Sequence, residues 1–315
     1  MALIVAAALV VLTTPVAARV AVRIGVIDRP GPLKVQTRPV PYLGGVAVFA
    51  GLAGPVAWAE PALLVPLGLA LVLGLADDVA DVPARLRLAG EVVIGATAAV
   101  ALPGTISPAG AAATVIATVA LLNAVNLLDG LDGLATSVAA LGALGFSVVL
   151  DGDARSTAMA LAGALLGFLV WNRPPARIYL GDAGSYLVGT ALALLLALTA
   201  TTDEGAATTA GALLFVAVPV ADTTIAIVRR LRAGRPLFQG DRGHVYDQLV
   251  DLGWSSQGSA LACAGAQGAF VALGLVASTL AAGPGVTLVA VVIASVGAAA
   301  LWAFTAPSPR TTRTT

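Results

Sequence analysis

The run Asn123-Ala-Val-Asn-Leu-Leu-Asp-Gly-Leu-Asp-Gly133 places two amides and two carboxylates at the end of an apolar segment. Hydrocarbon neither solvates charge nor supplies hydrogen bonds, so polar groups in such a place read by default as a functional site. Asn123 and Asn126 are three residues apart, as are Asp129 and Asp132, so each pair can share a helix face. Gly130 and Gly133 loosen the backbone and let a ligand approach it closely. One carboxylate here would be an ordinary polar helix end. Four polar groups at regular spacing are better explained by binding.

Four further clusters carry chemistry. In Asp77-Asp78-Val-Ala-Asp81, a continuing helix would bring Asp81 beside both other carboxylates, which repel unless a cation or ligand neutralises them. Magnesium with a phosphate substrate suits that arrangement, because the ion favours a few carboxylates plus phosphate oxygens. One Asp serving as a general base, its affinity for protons raised by its neighbours, fits as well, and so does a solvated helix end. Gly181-Asp182-Ala-Gly-Ser185 resembles a helix start, where backbone amides can meet an anion and Asp182 a cation. A plain N-cap would read the same way. The stretch Arg229–His244 is rich in arginine and includes the only histidine of the chain. Arg229, Arg230 and Arg232 are accounted for by lipid headgroups. Arg235, Arg242 and His244 lie farther along a Gly/Pro-structured loop, where arginine forks can hold a pyrophosphate. Near the N-terminus, Lys34 stands in a stiff loop, Asp28–Lys34 leading to Pro39–Gly45, as a phosphate contact or a plain surface lysine.

The elements that position these clusters are apolar. The chain of 315 residues is 58% hydrophobic and only 11% charged, against about a quarter charged in soluble proteins. Apolar segments near 2–22, 42–59, 61–76, 87–103, 110–126, 133–150, 155–171, 183–200, 209–228, 259–281 and 284–304 predict an all-α polytopic membrane bundle of about eleven helices. One membrane domain, 1–304, and a disordered cytoplasmic tail, 305–315, are expected. The first segment has no basic stretch before it, while Arg19 and Arg23 follow it, which favours a retained helix with an outside N-terminus over a cleaved signal. On that topology all of the 17 Lys and Arg except Arg155 fall inside, the C-terminus is cytoplasmic, and every cluster above shares the inner face. Zero formal net charge gives no reason to expect a nucleic-acid partner, and the lone Cys263 excludes an internal disulfide.

From about residue 23 to 258 the chain resembles the polyprenyl-phosphate N-acetylhexosamine-1-phosphate transferase superfamily, glycosyltransferase family 4. The resemblance rests on five ordered motifs, Pro39–Gly45, Asp77–Asp81, Asn123–Gly133, Asn172–Ser185 and Arg229–His244. It implies transfer of a sugar-1-phosphate from a UDP-N-acetylhexosamine to a polyprenyl phosphate with release of UMP, at the cytoplasmic face of a bacterial inner membrane. It also implies Asp77 as the base with Asp78 beside it, Asp182 as the ligand of Mg2+ (or Mn2+), and Asn126, Asp129 and Asp132 around the nucleotide-sugar. Asn172 and Tyr179 match positions that contact uracil. His244, a sole imidazole where relatives commonly carry several, is implied at the diphosphate or sugar. Arg-Pro-Val-Pro-Tyr-Leu-Gly-Gly looks closer to the GlcNAc-1-phosphate branch than to the phospho-N-acetylmuramoyl-pentapeptide transferases, and homodimers occur in the family. Two other classes share features with this inventory. A polyprenyl-pyrophosphate phosphatase would not need the uracil-type positions, and a secondary transporter would place its polar groups near midplane.

The orientation has a direct test. A cysteine introduced at Arg38 is expected to resist membrane-impermeant thiol reagents added outside intact cells; ready labelling would invert the topology.

Overall fold

A computed structural model describes residues 1–30, 38–104, 106–201, 205–236 and 243–305, with side chains described as far as residue 298. Lys34, Arg242 and the tail from residue 306 lie outside the described residues. Each of the eleven apolar segments forms a helix. They are α1 (Ala2–Ile24), α2 (Gly44–Ala59), α3 (Leu64–Ala80), α4 (Ala84–Ala101), α5 (Pro108–Leu128), α6 (Leu134–Val149), α7 (Gly152–Asn172) and α8 (Gly181–Thr201). The ninth is α9 (Gly205–Leu213) continued by α10 (Ala217–Arg232), and α12 (Ser256–Thr279) and α13 (Ala282–Thr305) complete the set. Among the described residues, seven of these spans are long and apolar enough to cross a membrane, and α2 and α6 are shorter apolar helices. The protein is a multi-pass helical membrane bundle.

Two additions lie outside the apolar segments: a short helix α11 (Val245–Asp251), and a two-stranded antiparallel pair, β1 (Ile27–Asp28) with β2 (Val40–Pro41). Single turns of 3-10 helix precede α3 and join α9 to α10.

Helix α8 is the axis of the bundle. It is buried over nearly its whole length and packs chiefly against α3 and α5. Large apolar side chains that would be anomalous on a soluble protein, such as Leu12, Val72 and Ile116, point outward instead, as lipid-facing positions do. With hydrocarbon outside, burial of apolar surface cannot drive helices together, so close packing must. Gly45 of α2 and Gly74 of α3 supply it: a Cβ on either would run into the α8 backbone at Ala183 or Gly184. The first turn of α8 is thereby drawn between two helix ends.

Gly74→Ala should therefore cost about 1–3 kcal/mol, the usual penalty for overpacking. Gly68→Ala on the same helix, which meets open space, should be neutral or slightly stabilising. Thermal melts of the purified variants check this; equal melting temperatures would contradict the close approach.

Candidate active site

Five chain segments meet at one end of the bundle around a cavity of about 770 Å³. They are the β1–β2 region, the ends of α3 and α5, the 172–182 connection into α8, and α11; the start of α12 adds Ser256 and Gln257. Several of the polar clusters expected from the sequence thus meet in one cavity.

Helix α8 begins at Gly181, whose positive φ of 73° turns the chain into the helix. The amides of Asp182 and Ala183 have no partner within the helix. They donate instead to the Asp78 carboxylate, at 2.9 Å to Oδ1 and 3.1 Å to Oδ2. A carboxylate at a helix N-terminus is favoured by the helix dipole as well as by these bonds. From α5, the Asn126 amide nitrogen donates to Asp182 Oδ1 at 2.6 Å and to Ser185 Oγ at 3.0 Å. Asp182 is thereby fixed from two helices while it lines the cavity.

Asp77 and Asp78, adjacent in sequence, point to different neighbours. Asp77 is buried and accepts from Arg87 Nη1 (3.1 Å), the Tyr186 hydroxyl (2.6 Å) and the Val82 amide (2.9 Å). It does not line the cavity, so the geometry does not favour the expected role as base; Asp78, which does line it, is better placed. Asp81 does not complete a triad on a continuing helix, because α3 stops at Ala80 and Asp81 turns to φ 45°. Asp tolerates that left-handed conformation better than most residues.

The opening run divides in the same way. Asn126 turns to Asp182, while Asn123 donates to Glu91 Oε2 on α4 at 2.6 Å, away from the cavity. The α5 helix ends at Leu128, so Asp129 and Asp132 stand on a turn and not on a shared helix face. Both line the cavity. Asp132 Oδ2 accepts the Ala176 amide at 2.8 Å. Asp129 sits among Asp182, Asp78 and Asp132; burial first, and then those negative charges, push its carboxyl up to about 7.

The loop between α7 and α8 is anchored from several sides. Asn172 is buried, accepting from Thr136 Oγ1 at 2.7 Å and donating to the Ile178 carbonyl at 3.0 Å. Asn172 also lines the cavity, with Oδ1 and Nδ2 each making one of these bonds and each able to make another. Tyr179 faces the cavity with its amide tied to the Pro41 carbonyl and its carbonyl accepting from Gly44. Burial and the carboxylates around it raise its phenol, keeping the donor protonated. Arg38 lines the same wall and donates to the Ala176 carbonyl at 3.3 Å.

His244 is buried behind the wall and does not line the cavity, so it is not placed to touch a substrate there. Its Nδ1 is 2.6 Å from Asp222 Oδ2 of α10, and Asp222 Oδ1 accepts the Val245 amide at 2.7 Å. This buried pair sets the start of α11, whose Tyr246 and Asp247 do line the cavity. Tyr246 stacks on the His244 ring and donates to the Leu127 carbonyl, fitting over Gly130, where a side chain would collide with it. Arg235 is exposed and outside the cavity. Asp222, Glu91, Arg38 and Tyr246 were not among the site residues expected from sequence. For Asp222 and Glu91 a signal existed, a lone carboxylate inside an apolar segment.

The model of the family described as glycosyl transferase family 4 matches residues 61–200, from the start of α3 to the end of α8. The chain is 31% identical over 298 residues to the decaprenyl-phosphate N-acetylglucosaminephosphotransferase of Mycolicibacterium smegmatis, covering 76% of this chain and 72% of that one. It is 30% identical over 300 residues to the undecaprenyl-phosphate alpha-N-acetylglucosaminyl 1-phosphate transferase of Salmonella typhi, covering 86% and 78%.

The chain belongs to glycosyl transferase family 4.

A Streptomyces coelicolor protein named as a glycosyltransferase is 36% identical over 278 residues, covering 82% of this chain; the chain spans 65% of that relative's length. The stretch matched by the family model holds Asp77, Asp78, Asn126, Asp129, Asp132, Asn172, Tyr179 and Asp182, and ends before His244.

Among the described residues, no three His, Cys, Asp or Glu side chains form a ready metal cage. The donor set nevertheless fits a hard cation completed by phosphate oxygens. Asp182 faces the cavity with the carboxylates of Asp77, Asp78 and Asp129 around it, an excess of negative charge that Arg87 offsets in part.

The Asp222–His244 pair generates a test. Asp222→Ala should destabilise the protein by about 1.5–3 kcal/mol, the worth of hydrogen bonds to a charged group, and loosen α11. Thermal melting with limited proteolysis at 243–253 reads both effects; wild-type behaviour in both would remove the pair from its structural role.

Proposed function

We propose that the protein transfers N-acetylglucosamine-1-phosphate from UDP-N-acetylglucosamine to a polyprenyl phosphate, releasing UMP, at the cytoplasmic face of a bacterial inner membrane. The observation that carries this reading is Asp182, held at the start of α8 inside a carboxylate-lined cavity at the end of a lipid-facing bundle. Such a site brings a water-soluble, phosphate-bearing donor together with an acceptor that arrives through the bilayer. The names of the mycobacterial and Salmonella relatives support the same donor sugar and acceptor class. They favour this branch over the muramoyl-pentapeptide one, and nothing in the cavity favours a phosphatase or a transporter.

Mg2+, with Mn2+ as a substitute, would be held by Asp182 together with phosphate oxygens, and would supply charge neutralisation on the diphosphate. Asp132, Arg38 and Tyr179 form the wall against which the nucleotide part of the donor would rest. A phosphate monoester loses its second proton near pH 6, so the acceptor is largely a dianion at neutral pH and needs orientation more than activation. Asp129, on the cavity wall beside Asp132 and Asp182, is placed to take whatever proton remains. The acceptor oxygen bonds to the sugar-bearing phosphorus, the bridging P–O bond breaks, and UMP departs with the electron pair. Direct attack, without a covalent Asp intermediate, is the economical route.

Purified protein supplied with UDP-N-acetylglucosamine, polyprenyl phosphate and magnesium should release UMP. Asp182→Asn and Asp78→Asn should each lower the rate by about 10²–10³-fold, the scale for losing one positioned electrostatic group, while the protein stays folded. Phosphate release from polyprenyl pyrophosphate, with no UMP from any UDP-N-acetylhexosamine, would overturn the reading.

A further inference from the structure

Beside the substrate cavity lies a second pocket of about 430 Å³, lined by Arg38, Val170, Trp171, Arg173, Arg177 and Gln257 together with the Pro174–Pro175 turn. Three guanidinium groups line it, and among the described residues no carboxylate does. That composition contrasts with the neighbouring cavity, which is rich in Asp. The pocket is also structured. The Trp171 indole donates to the Val11 carbonyl of α1 at 3.2 Å, and the Arg177 guanidinium lies over its ring, 5.6 Å from the centroid. Arg38 is steadied by its bond to the Ala176 carbonyl. Arg173 and Arg177 are otherwise exposed at the inner end of α7, where Val170 still presents 48% of its surface outward toward lipid.

Arginines at inner helix ends need no special explanation when they are scattered. Three that converge on one concavity, with an aromatic floor and no acid to neutralise them, do need one. Planar guanidinium groups hold phosphate oxygens in bidentate forks, and basic pockets between helix ends at this depth suit phosphate headgroups. We propose that this pocket is a binding site for a phosphate group, separate from the substrate cavity and divided from it by Arg38 and the Pro174–Pro175 turn. The phosphate is either that of an anionic phospholipid, whose acyl chains would lie along Val170, or free inorganic phosphate. The inference does not depend on the reaction proposed above.

The test compares the full-length protein with an Arg173→Gln/Arg177→Gln variant in nanodiscs, with two arms. In the first, native mass spectrometry counts phosphatidylglycerol retained from a phosphatidylcholine background. In the second, inorganic phosphate is titrated at constant ionic strength in pure phosphatidylcholine discs and thermal melting is followed. The wild type should respond in one arm, with about tenfold weaker binding in the variant, as expected for lost charge-assisted bonds. The responding arm names the source of the phosphate. No wild-type response in either arm, or equal responses from both proteins, would overturn the site. If the glutamine variant does not fold, Arg173→Lys/Arg177→Lys replaces it. That variant keeps the charge and loses the forks, so it should bind more weakly than wild type; binding equal to wild type would also overturn the site.

Discussion

The geometry at this end of the bundle depends on one carboxylate capping a helix that is not its own. The first amides of a helix have no partner within it and must find acceptors elsewhere, because a buried orphaned donor costs about 1–3 kcal/mol. Asp78 provides both acceptors for α8 and places its negative charge against the positive end of the helix dipole. The bond also fastens α3 to α8. With Asn126 reaching across from α5, three helix ends are tied at Asp182. None of this is attainable unless α2 and α3 come close, and Gly45 and Gly74 allow that. The capping bonds and the absent side chains are two halves of one arrangement.

Much of the fold was legible in the sequence because hydrocarbon makes the pattern severe. Spans must be apolar, and chemistry collects at their ends. All eleven segments became helices for those reasons. What the pattern leaves open is direction. Asp77 and Asp78 differ by one position, and so by about 100° around the helix. That rotation separates a residue locked between Arg87 and Tyr186 from one that faces the cavity. Asn123 and Asn126 separate likewise, one toward Glu91 and the other toward Asp182. His244 has the residue type of a substrate site, but its Nδ1 is committed to Asp222 behind the cavity wall. Spacing cannot reveal such partners, because they come from other helices.

The charge layout is the second theme. Acidic side chains surround the place where phosphates would be handled, which by itself would repel a diphosphate. The arrangement makes chemical sense for a substrate that brings a divalent cation with it. Compensating positive charge stands on the wall, on Arg38, just outside, on the two arginines at the end of α7, and behind, on Arg87 beside Asp77. The Arg87–Asp77–Tyr186 group, with Asp77 and Tyr186 buried, links this end of the bundle to α4.

The most direct measurement is hydrogen exchange of the amides at the start of α8. If Asp78 is the cap that organises the site, a peptide covering residues 180–186 should be strongly protected in the wild type. In Asp78→Ala it should exchange much faster, with the rest of α8 unaffected. Protection of Asp182 and Ala183 that is the same in both proteins would show that the helix start is held by something else, and would contradict the account.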